Sequence, residues 1–206
     1  MINTDATIFI IDDDPAIRDS LTLMLVQEGF TVRTFESAEA FLENIQTEHF
    51  GCAIVDIRMT GMDGMQLQDS LTKHHIQLPI IFLTGHGDIP MSVRAIKAGA
   101  IDFLTKPVTR EKLMASIRYA LVESDKLLYE QASHKNAKSH LAELTERERD
   151  VMALAIQGHS NKDIARQLGI SHRTVEIHKS KIMHKTGANN LLDLVRIANQ
   201  GSLNLQ

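Results

Sequence analysis

Three aspartates, a threonine and a lysine each end a short apolar run of the sequence, and together they could perform chemistry. They are Asp12, Asp13, Asp56, Thr84 and Lys106. Three carboxylates in one place repel one another and raise one another's pKa unless a cation is bound. Oxygen ligands alone favour a hard cation such as Mg²⁺, which takes a few carboxylates together with water and a phosphoryl oxygen. The residue types therefore predict a magnesium and phosphoryl site.

An ionised aspartate in such a site can act as a nucleophile, and Asp56 is the candidate for forming an aspartyl phosphate. Lys106 can counter the charge on the phosphoryl oxygens, and the Thr84 hydroxyl can hydrogen-bond one of them. The alternative is that the aspartates only cap helices or form turns. We expect that for Asp14, which precedes Pro15, and we expect a turn at Asp63.

The elements that must position these residues follow from the hydrophobic pattern. Short apolar segments at 7–11, 31–35, 52–55, 80–83 and 101–104 predict five buried strands, each followed by a helical pattern. Alternating strands and helices favour a doubly wound α/β fold, a flavodoxin-like parallel sheet with helices on both faces. Ligands of such sheets bind at the carboxyl ends of the strands, where we expect all five polar residues to converge.

The composition limits the classes of protein to which the chain can belong. Its 206 residues, 43% hydrophobic and 23% charged, suit a folded protein of one or two domains. The single cysteine, Cys52, excludes an intramolecular disulfide and a cysteine-based zinc site. No apolar run approaches the roughly 18 residues that span a bilayer, and the first residues lack a basic signal-peptide region. We therefore expect a cytoplasmic protein with no membrane partner.

Charge is distributed unevenly along the chain. Residues 1–120 hold 10 basic and 16 acidic residues, whereas residues 160–206 hold seven basic and three acidic ones. This asymmetry favours two domains with different partners. An imbalance of this size also arises by chance, so charge alone does not decide the partners.

The second half of the chain predicts helices and no strand. We expect an α/β domain over residues 1–121, a helical linker that becomes polar and solvated over 122–140, and a small all-α domain over 141–206. Four short helices are predicted in that last domain. Thr145 and Glu148 form a capping-box pattern, Gly169 marks a tight turn, and Ser171 can cap the third helix. This arrangement is typical of a helix-turn-helix domain.

The motifs resemble those of one family. Residues 11–14, 55–64, 83–88 and 106–107 are similar to the receiver domain of bacterial two-component response regulators. Residues 144–148, 160–165 and 170–178 are similar to the LuxR-type helix-turn-helix. The pair, with Thr-Gly-His-Gly-Asp after the fourth strand, resembles the FixJ-type branch of the NarL family.

The resemblance implies roles for individual residues. Asp56 would accept a phosphoryl group from a sensor histidine kinase, and Asp12, Asp13, Asp56 and the main-chain carbonyl of Arg58 would hold Mg²⁺. Thr84 and Phe103 would form a switch pair, in which phosphorylation draws the hydroxyl inward and the ring follows. Phosphorylation would then create a homodimer through the face of the fourth helix, fifth strand and fifth helix. The Lys106-Pro107 bond would be cis.

Thr60 departs from the pattern, since the family most often has proline at this position. Threonine changes the stiffness of the loop beside Asp56 but removes no functional group. We hypothesise that it alters the lifetime of the aspartyl phosphate.

The helix-turn-helix predicts a DNA interface. Its second helix, about residues 171–185, would enter the major groove of promoter DNA, while Asn161 and Lys162 would hold a backbone phosphate. Val175, Ile177 and Ile182 are expected to pack inward. The residues predicted to face DNA are His172, Arg173, Thr174, Glu176, His178, Lys179 and Lys181. RNA polymerase is a further partner to consider.

The leading interpretation is a phosphorylation-controlled transcription factor, and three alternatives fit the residues less well. A phosphatase or phosphotransferase needs a second carboxylate two residues after the nucleophile, where this chain has Arg58, so we expect no enzyme. A receiver controlled without phosphate is disfavoured by the complete set of polar residues. A flavin carrier is disfavoured because the acidic residues 12–14 would repel a flavin phosphate.

Overall fold

Five segments rich in apolar and β-branched residues form one parallel sheet, as predicted. The strands are β1 (Thr7–Ile11), β2 (Thr31–Phe35), β3 (Gly51–Val55), β4 (Ile80–Thr84) and β5 (Asp102–Thr105). They pair in the order β2-β1-β3-β4-β5, so the central strands are β1, β3 and β4. In the computed structural model, residues 6–45, 50–85 and 89–201 are described.

The helices of the first half alternate with the strands. They are α1 (Pro15–Gln27), α2 (Ala38–Asn44), α3 (Gly64–Lys73), α4 (Ile89–Lys97) and α5 (Arg110–Ala142). Asp14 caps α1 by accepting a hydrogen bond from the Ala16 amide, as expected. Asp63 is more than a turn residue, because it caps α3 in a reciprocal capping box with Gln66.

The sheet has a separate hydrophobic core on each face. On one face, Leu21 and Leu25 of α1 and Leu113 and Ile117 of α5 pack against the sheet. On the other face, α2, α3 and α4 contribute buried residues that include Phe41, Leu67 and Ala95. Buried strands covered on both faces account for the continuous apolar sequence of β3 and β4. Cys52 lies in the first core and is fully buried.

The chain divides into two compact units, residues 1–128 and 129–206. Helix α5 continues without interruption to Ala142, and its last part belongs to the second unit. Residues 122–140 are therefore helical, as predicted. The prediction that the polar part after Tyr129 is solvated is wrong for some of its residues. Ala137 is buried, and His134 Nδ1 lies 2.7 Å from the carbonyl oxygen of Gln200.

The second unit contains the helices α6 (Glu146–Ile156), α7 (Asn161–Leu168), α8 (His172–Thr186) and α9 (Leu191–Gly201). Thr145 and Glu148 form the predicted capping box, and Ser160 and Ser171 cap α7 and α8. Gly169 ends α7 with φ of +64°, a left-handed conformation that glycine adopts without strain. None of the described helices is long and apolar enough to cross a membrane.

The core of the second unit corrects one expectation. Val175 and Ile182 of α8 are buried, as predicted, but Ile177 is 48% exposed. Residues 175 and 182 are seven positions apart and lie on one helix face, whereas residue 177 is rotated by about 200° from Val175 at 3.6 residues per turn. Ile177 therefore lies on the opposite face of α8 from the core.

Candidate functional site

Asp12, Asp13 and Asp56 form an acidic cluster where β1 and β3 end. The adjacent pairing of these strands places Ile11 opposite Val55, so the residues that follow them are neighbours. Asp12 and Asp56 are buried and Asp13 is exposed. One carboxylate oxygen from each of the three lies within 4.8 Å of the others. This donor set, found among the described residues, offers oxygen atoms only and therefore suits a hard divalent cation.

Lys106, which follows β5, joins two of these carboxylates. Its Nζ donates hydrogen bonds of 2.6 Å to Asp12 Oδ2 and 2.9 Å to Asp56 Oδ2. Burial raises the pKa of Asp12, although the hydrogen bond from Lys106 opposes this. Burial would lower the pKa of Lys106, but the bonds to Asp12 and Asp56 outweigh it and raise this pKa above its usual value. The ammonium group is thus held charged between two carboxylates.

The loop after β3 shapes the site around Asp56. The amide of Arg58 donates to Asp56 Oδ1 at 3.3 Å, and the Arg58 residue is exposed. Gly64 begins α3 directly beneath this loop, where a Cβ atom would lie 2.5 Å from the carbonyl oxygen of Asp56. Glycine therefore allows the close approach of α3 to the end of β3.

Thr84 and Phe103 lie on neighbouring strands at the same edge of the sheet. Thr84 ends β4 and is 1% exposed, and its register partner on β5 is Thr105. Phe103 is half-buried, with its ring centroid 6.4 Å from that of Phe82. The Lys106–Pro107 bond is cis, as the resemblance implied. The motif residues His86, Gly87 and Asp88 lie outside the described part of the chain.

Arg18, Glu39 and Thr60 make hydrogen bonds at the site that the sequence analysis did not predict. Arg18 Nη1 donates a 2.7 Å hydrogen bond to the carbonyl oxygen of Asp12. Glu39 Oε1 accepts one of 2.8 Å from the Met62 amide. Thr60 donates to Asp13 from both its amide and its hydroxyl. Only Thr60 carried a sequence signal, its departure from proline, because Arg18 and Glu39 come from helix faces that look ordinary in the sequence.

The helix-turn-helix exposes part of the predicted DNA-facing set. Lys162 and, on α8, His172, Arg173, Glu176 and Lys181 are exposed. Thr174, His178, Lys179 and Asn161 are half-buried. The Thr174 hydroxyl lies 2.7 Å from that of the capping Ser171, and His172 Nδ1 lies 3.6 Å from Glu176 Oε1. His178 Nδ1 is buried and has no hydrogen-bond partner among the residues that the structure describes.

Another ion pair, Lys185–Glu148, joins α8 to α6 within the second unit. Lys185 of α8 donates a 2.7 Å hydrogen bond to Glu148 of α6 and one of 3.1 Å to the carbonyl oxygen of Glu143. The hydrogen bonds from Lys185 and from the Thr145 amide lower the pKa of Glu148 to about 2, although burial opposes them. This pair fixes the end of α8 to the start of α6.

Two family models match the chain. That described as "Response regulator receiver domain" matches residues 8–118, and that described as "Bacterial regulatory proteins, luxR family" matches residues 142–198. The transcriptional regulatory protein FixJ of Bradyrhizobium diazoefficiens is 42% identical over 197 residues, covering 96% of each chain. The response regulator protein TodT of Pseudomonas putida is 41% identical over 201 residues, covering 96% of this chain and 87% of TodT. The solved structure of the response regulator StyR superposes with a TM-score of 0.82 at 40% identity, covering 95% of this chain and 99% of StyR.

Proposed function

The chain belongs to the response regulators that join a receiver domain to a luxR-family DNA-binding domain, and from this we propose that Asp56 is the residue through which phosphorylation controls it. The observation that carries the proposal is the contact of one ammonium group, Lys106 Nζ, with both Asp12 and Asp56 at the acidic rim. The candidate nucleophile Asp56 and the carboxylate of Asp12 both lie within hydrogen-bond distance of this cation, and an oxygen of Asp13 lies within 4.8 Å of both carboxylates.

The donor is a phosphohistidine of a sensor histidine kinase. A carboxylate oxygen of Asp56 attacks phosphorus, the P–N bond breaks, and the imidazole leaves with the electron pair. Lys106 is placed to donate to the oxygens of the transferred group, since its Nζ already contacts Asp56. Asp12, Asp13, Asp56 and the main-chain carbonyl of Arg58 would hold Mg²⁺, which would supply positive charge to offset the crowded anions.

Thr84 and Phe103 are the switch pair in this proposal. An acyl phosphate adds roughly two negative charges to the rim. The buried Thr84 hydroxyl is drawn to them, and the half-buried Phe103 ring follows into the space that it vacates. The pair transmits the change from the rim to the faces of α4 and β5.

The output surface is the face of α4, β5 and α5, where a homodimer forms on phosphorylation. Leu113 of α5 is fully buried and so cannot contact a partner, and Val108 is partly buried against the core. Other apolar side chains are exposed in this region. They are Ile89, Val93 and Ile96 of α4 and Tyr119 and Val122 of α5. These exposed side chains on α4 and α5 support dimerisation, because large exposed apolar groups favour an interface.

Binding to promoter DNA is carried by α8 and the start of α7. Arg173 and Lys181 are exposed on α8, where they reach phosphates or guanine, and the exposed carboxylate of Glu176 accepts from cytosine. Lys162 and Asn161 lie at the N-terminus of α7, which suits a backbone phosphate. His172, Thr174, His178 and Lys179 complete the interface, and RNA polymerase is a further partner at the promoter.

We place the protein in the cytoplasm, where its kinase donor and DNA are found. We also propose that it does not turn over a substrate, since the residue two positions after Asp56 is Arg58 and supplies no acid or base carboxylate.

Intact-mass measurement tests the central step. The full chain is incubated with acetyl phosphate and Mg²⁺, beside Asp56→Asn and a sample without Mg²⁺. We expect one added phosphoryl group in the wild-type sample and none in the other two. Selection of random duplex DNA by the phosphorylated and unphosphorylated chain then tests whether DNA binding follows.

If no mass is added, two explanations remain: the aspartyl phosphate is too short-lived to detect, or the receiver is controlled without phosphate. Beryllofluoride, a stable mimic of the acyl phosphate, separates these two. A dimer induced by beryllofluoride in the wild type and not in Asp56→Asn supports the proposal, whereas its absence favours control by a ligand or protein partner.

A further inference from the structure

We propose that Thr60 positions the Asp13 carboxylate for divalent cation binding, an inference that rests on the function proposed above. The Thr60 amide donates to Asp13 Oδ2 at 3.2 Å and the Thr60 hydroxyl donates to the same oxygen at 3.3 Å. The two residues are 47 positions apart, and the bonds join the loop after β3 to the loop after β1.

Asp13 depends on these bonds more than the other two carboxylates do. Asp12 and Asp56 are buried and share the ammonium group of Lys106. Asp13 is exposed, and among the described residues its carboxylate receives hydrogen bonds from Thr60 alone. Repulsion from two neighbouring carboxylates favours rotation of this side chain into solvent. Thr60 opposes that rotation, and from the part of the chain that the structure describes Asp13 Oδ1 receives no hydrogen bond.

The loop that carries Thr60 is itself held in place by hydrogen bonds, so it can orient the exposed Asp13 carboxylate. Glu39 of α2 accepts a 2.8 Å hydrogen bond from the Met62 amide. The Gly64 amide donates to the carbonyl oxygen of Ile57 at 2.9 Å, and Asp63 caps α3. Outer-shell partners of this kind orient metal ligands and lower the reorganisation needed when the ion binds.

Of the two hydrogen-bond donors to Asp13, the amide belongs to the main chain and only the hydroxyl belongs to the Thr60 side chain. A residue without it keeps one donor, the amide, and proline keeps neither donor. Cation affinity should therefore fall in two steps, first when the hydroxyl is removed and again when the amide is also lost.

Isothermal titration of the full chain with Mg²⁺ alone measures this effect. We expect Thr60→Val to raise the Kd for Mg²⁺ about tenfold, the low end of the range for outer-shell partners, because the pair is exposed. Thr60→Ser keeps the hydroxyl and should bind within about threefold of wild type. Thr60→Pro should bind at least as weakly as Thr60→Val.

Thr34→Val, an exposed position on β2, is the matched control and should bind Mg²⁺ as the wild type does. Thermal unfolding in EDTA should be unchanged for Thr60→Val, because an exposed hydroxyl contributes little to the fold. Wild-type affinity in Thr60→Val, or equal weakening in Thr60→Ser, overturns the role of Thr60 and leaves the proposed function standing. A wild-type chain that binds no Mg²⁺ overturns both.

Discussion

Lys179 Nζ donates a 2.6 Å hydrogen bond to Asn161 Oδ1, which joins α8 to the first residue of α7. Both residues are half-buried, and both were predicted to contact DNA. In the structure, the two side chains bind each other. It also places a positive charge at the N-terminus of α7, where the helix dipole already favours a phosphate.

This bond predicts that Lys179 differs from its neighbour Lys181, which is exposed. Lys179→Met should weaken DNA binding and also lower the free energy of unfolding by about 1 kcal/mol, since the Asn161 amide loses its partner. Lys181→Met should weaken DNA binding with almost no change in unfolding, and should reduce the salt slope by about 0.9 if it removes one phosphate contact. Fluorescence anisotropy at several salt concentrations and thermal unfolding measure these two effects. Equal unfolding curves for the two variants would contradict the link.

Ile177 should behave as a surface residue of α8. Because it is 48% exposed, Ile177→Ala should lower the free energy of unfolding by less than about 1 kcal/mol. Val175→Ala, at a fully buried position of the same helix, should lower it by about 2 kcal/mol because it leaves a cavity. Chemical unfolding followed by circular dichroism compares the two. A larger loss in Ile177→Ala than in Val175→Ala would show that Ile177 packs inward after all.

The pair Glu148–Lys185 predicts a pH dependence of stability. The pKa of Glu148 is lowered from 4.5 to about 2, so its ionised form stabilises the folded state. This contribution is fully present above about pH 4.5 and is lost as the pH falls from 4.5 towards 2. Glu148→Gln should lower the free energy of unfolding at pH 7 by about 1.5 kcal/mol, and the difference from wild type should shrink below pH 4.5.

Thermal unfolding from pH 3 to pH 7 checks this prediction. Glu146→Gln is the matched control, because Glu146 lies in the same helical turn but is exposed. The control should follow the wild-type curve throughout. A difference between Glu148→Gln and wild type that stays constant with pH would mean that ionisation of Glu148 does not stabilise the fold.

Removal of Lys106 should leave two buried carboxylates without their cation. Lys106→Met should lower the free energy of unfolding by about 2 kcal/mol in EDTA, because Asp12 and Asp56 then face each other unpaired. Mg²⁺ should raise the Tm of this variant more than that of the wild type, since the ion replaces the lost charge. Lys112→Met, at an exposed position of α5, should respond as the wild type does. An unchanged Tm in EDTA would show that Lys106 does not offset the repulsion.

The sequence by itself determined the elements and much of the rim. The apolar runs that form β1 to β5 are short and end at polar residues, and parallel strands bring those ends to one edge. Asp12, Asp56, Thr84 and Lys106 were therefore predictable as neighbours, although Lys106 and Asp12 are 94 positions apart. The capping signals at Thr145 and Ser171 were likewise readable, because capping depends on residues only three positions apart.

The tertiary structure alone decided which side chains bind each other. The bonds Thr60–Asp13, Arg18–Asp12 and Lys179–Asn161 depend on loop paths and helix positions that no local pattern specifies. The exposure of Ile177 depends on which face of α8 meets α6 and α7, since an apolar residue in a helix has no intrinsic side. Local sequence sets propensity and capping over a few residues, whereas a side chain's partners are set by the packing of whole elements.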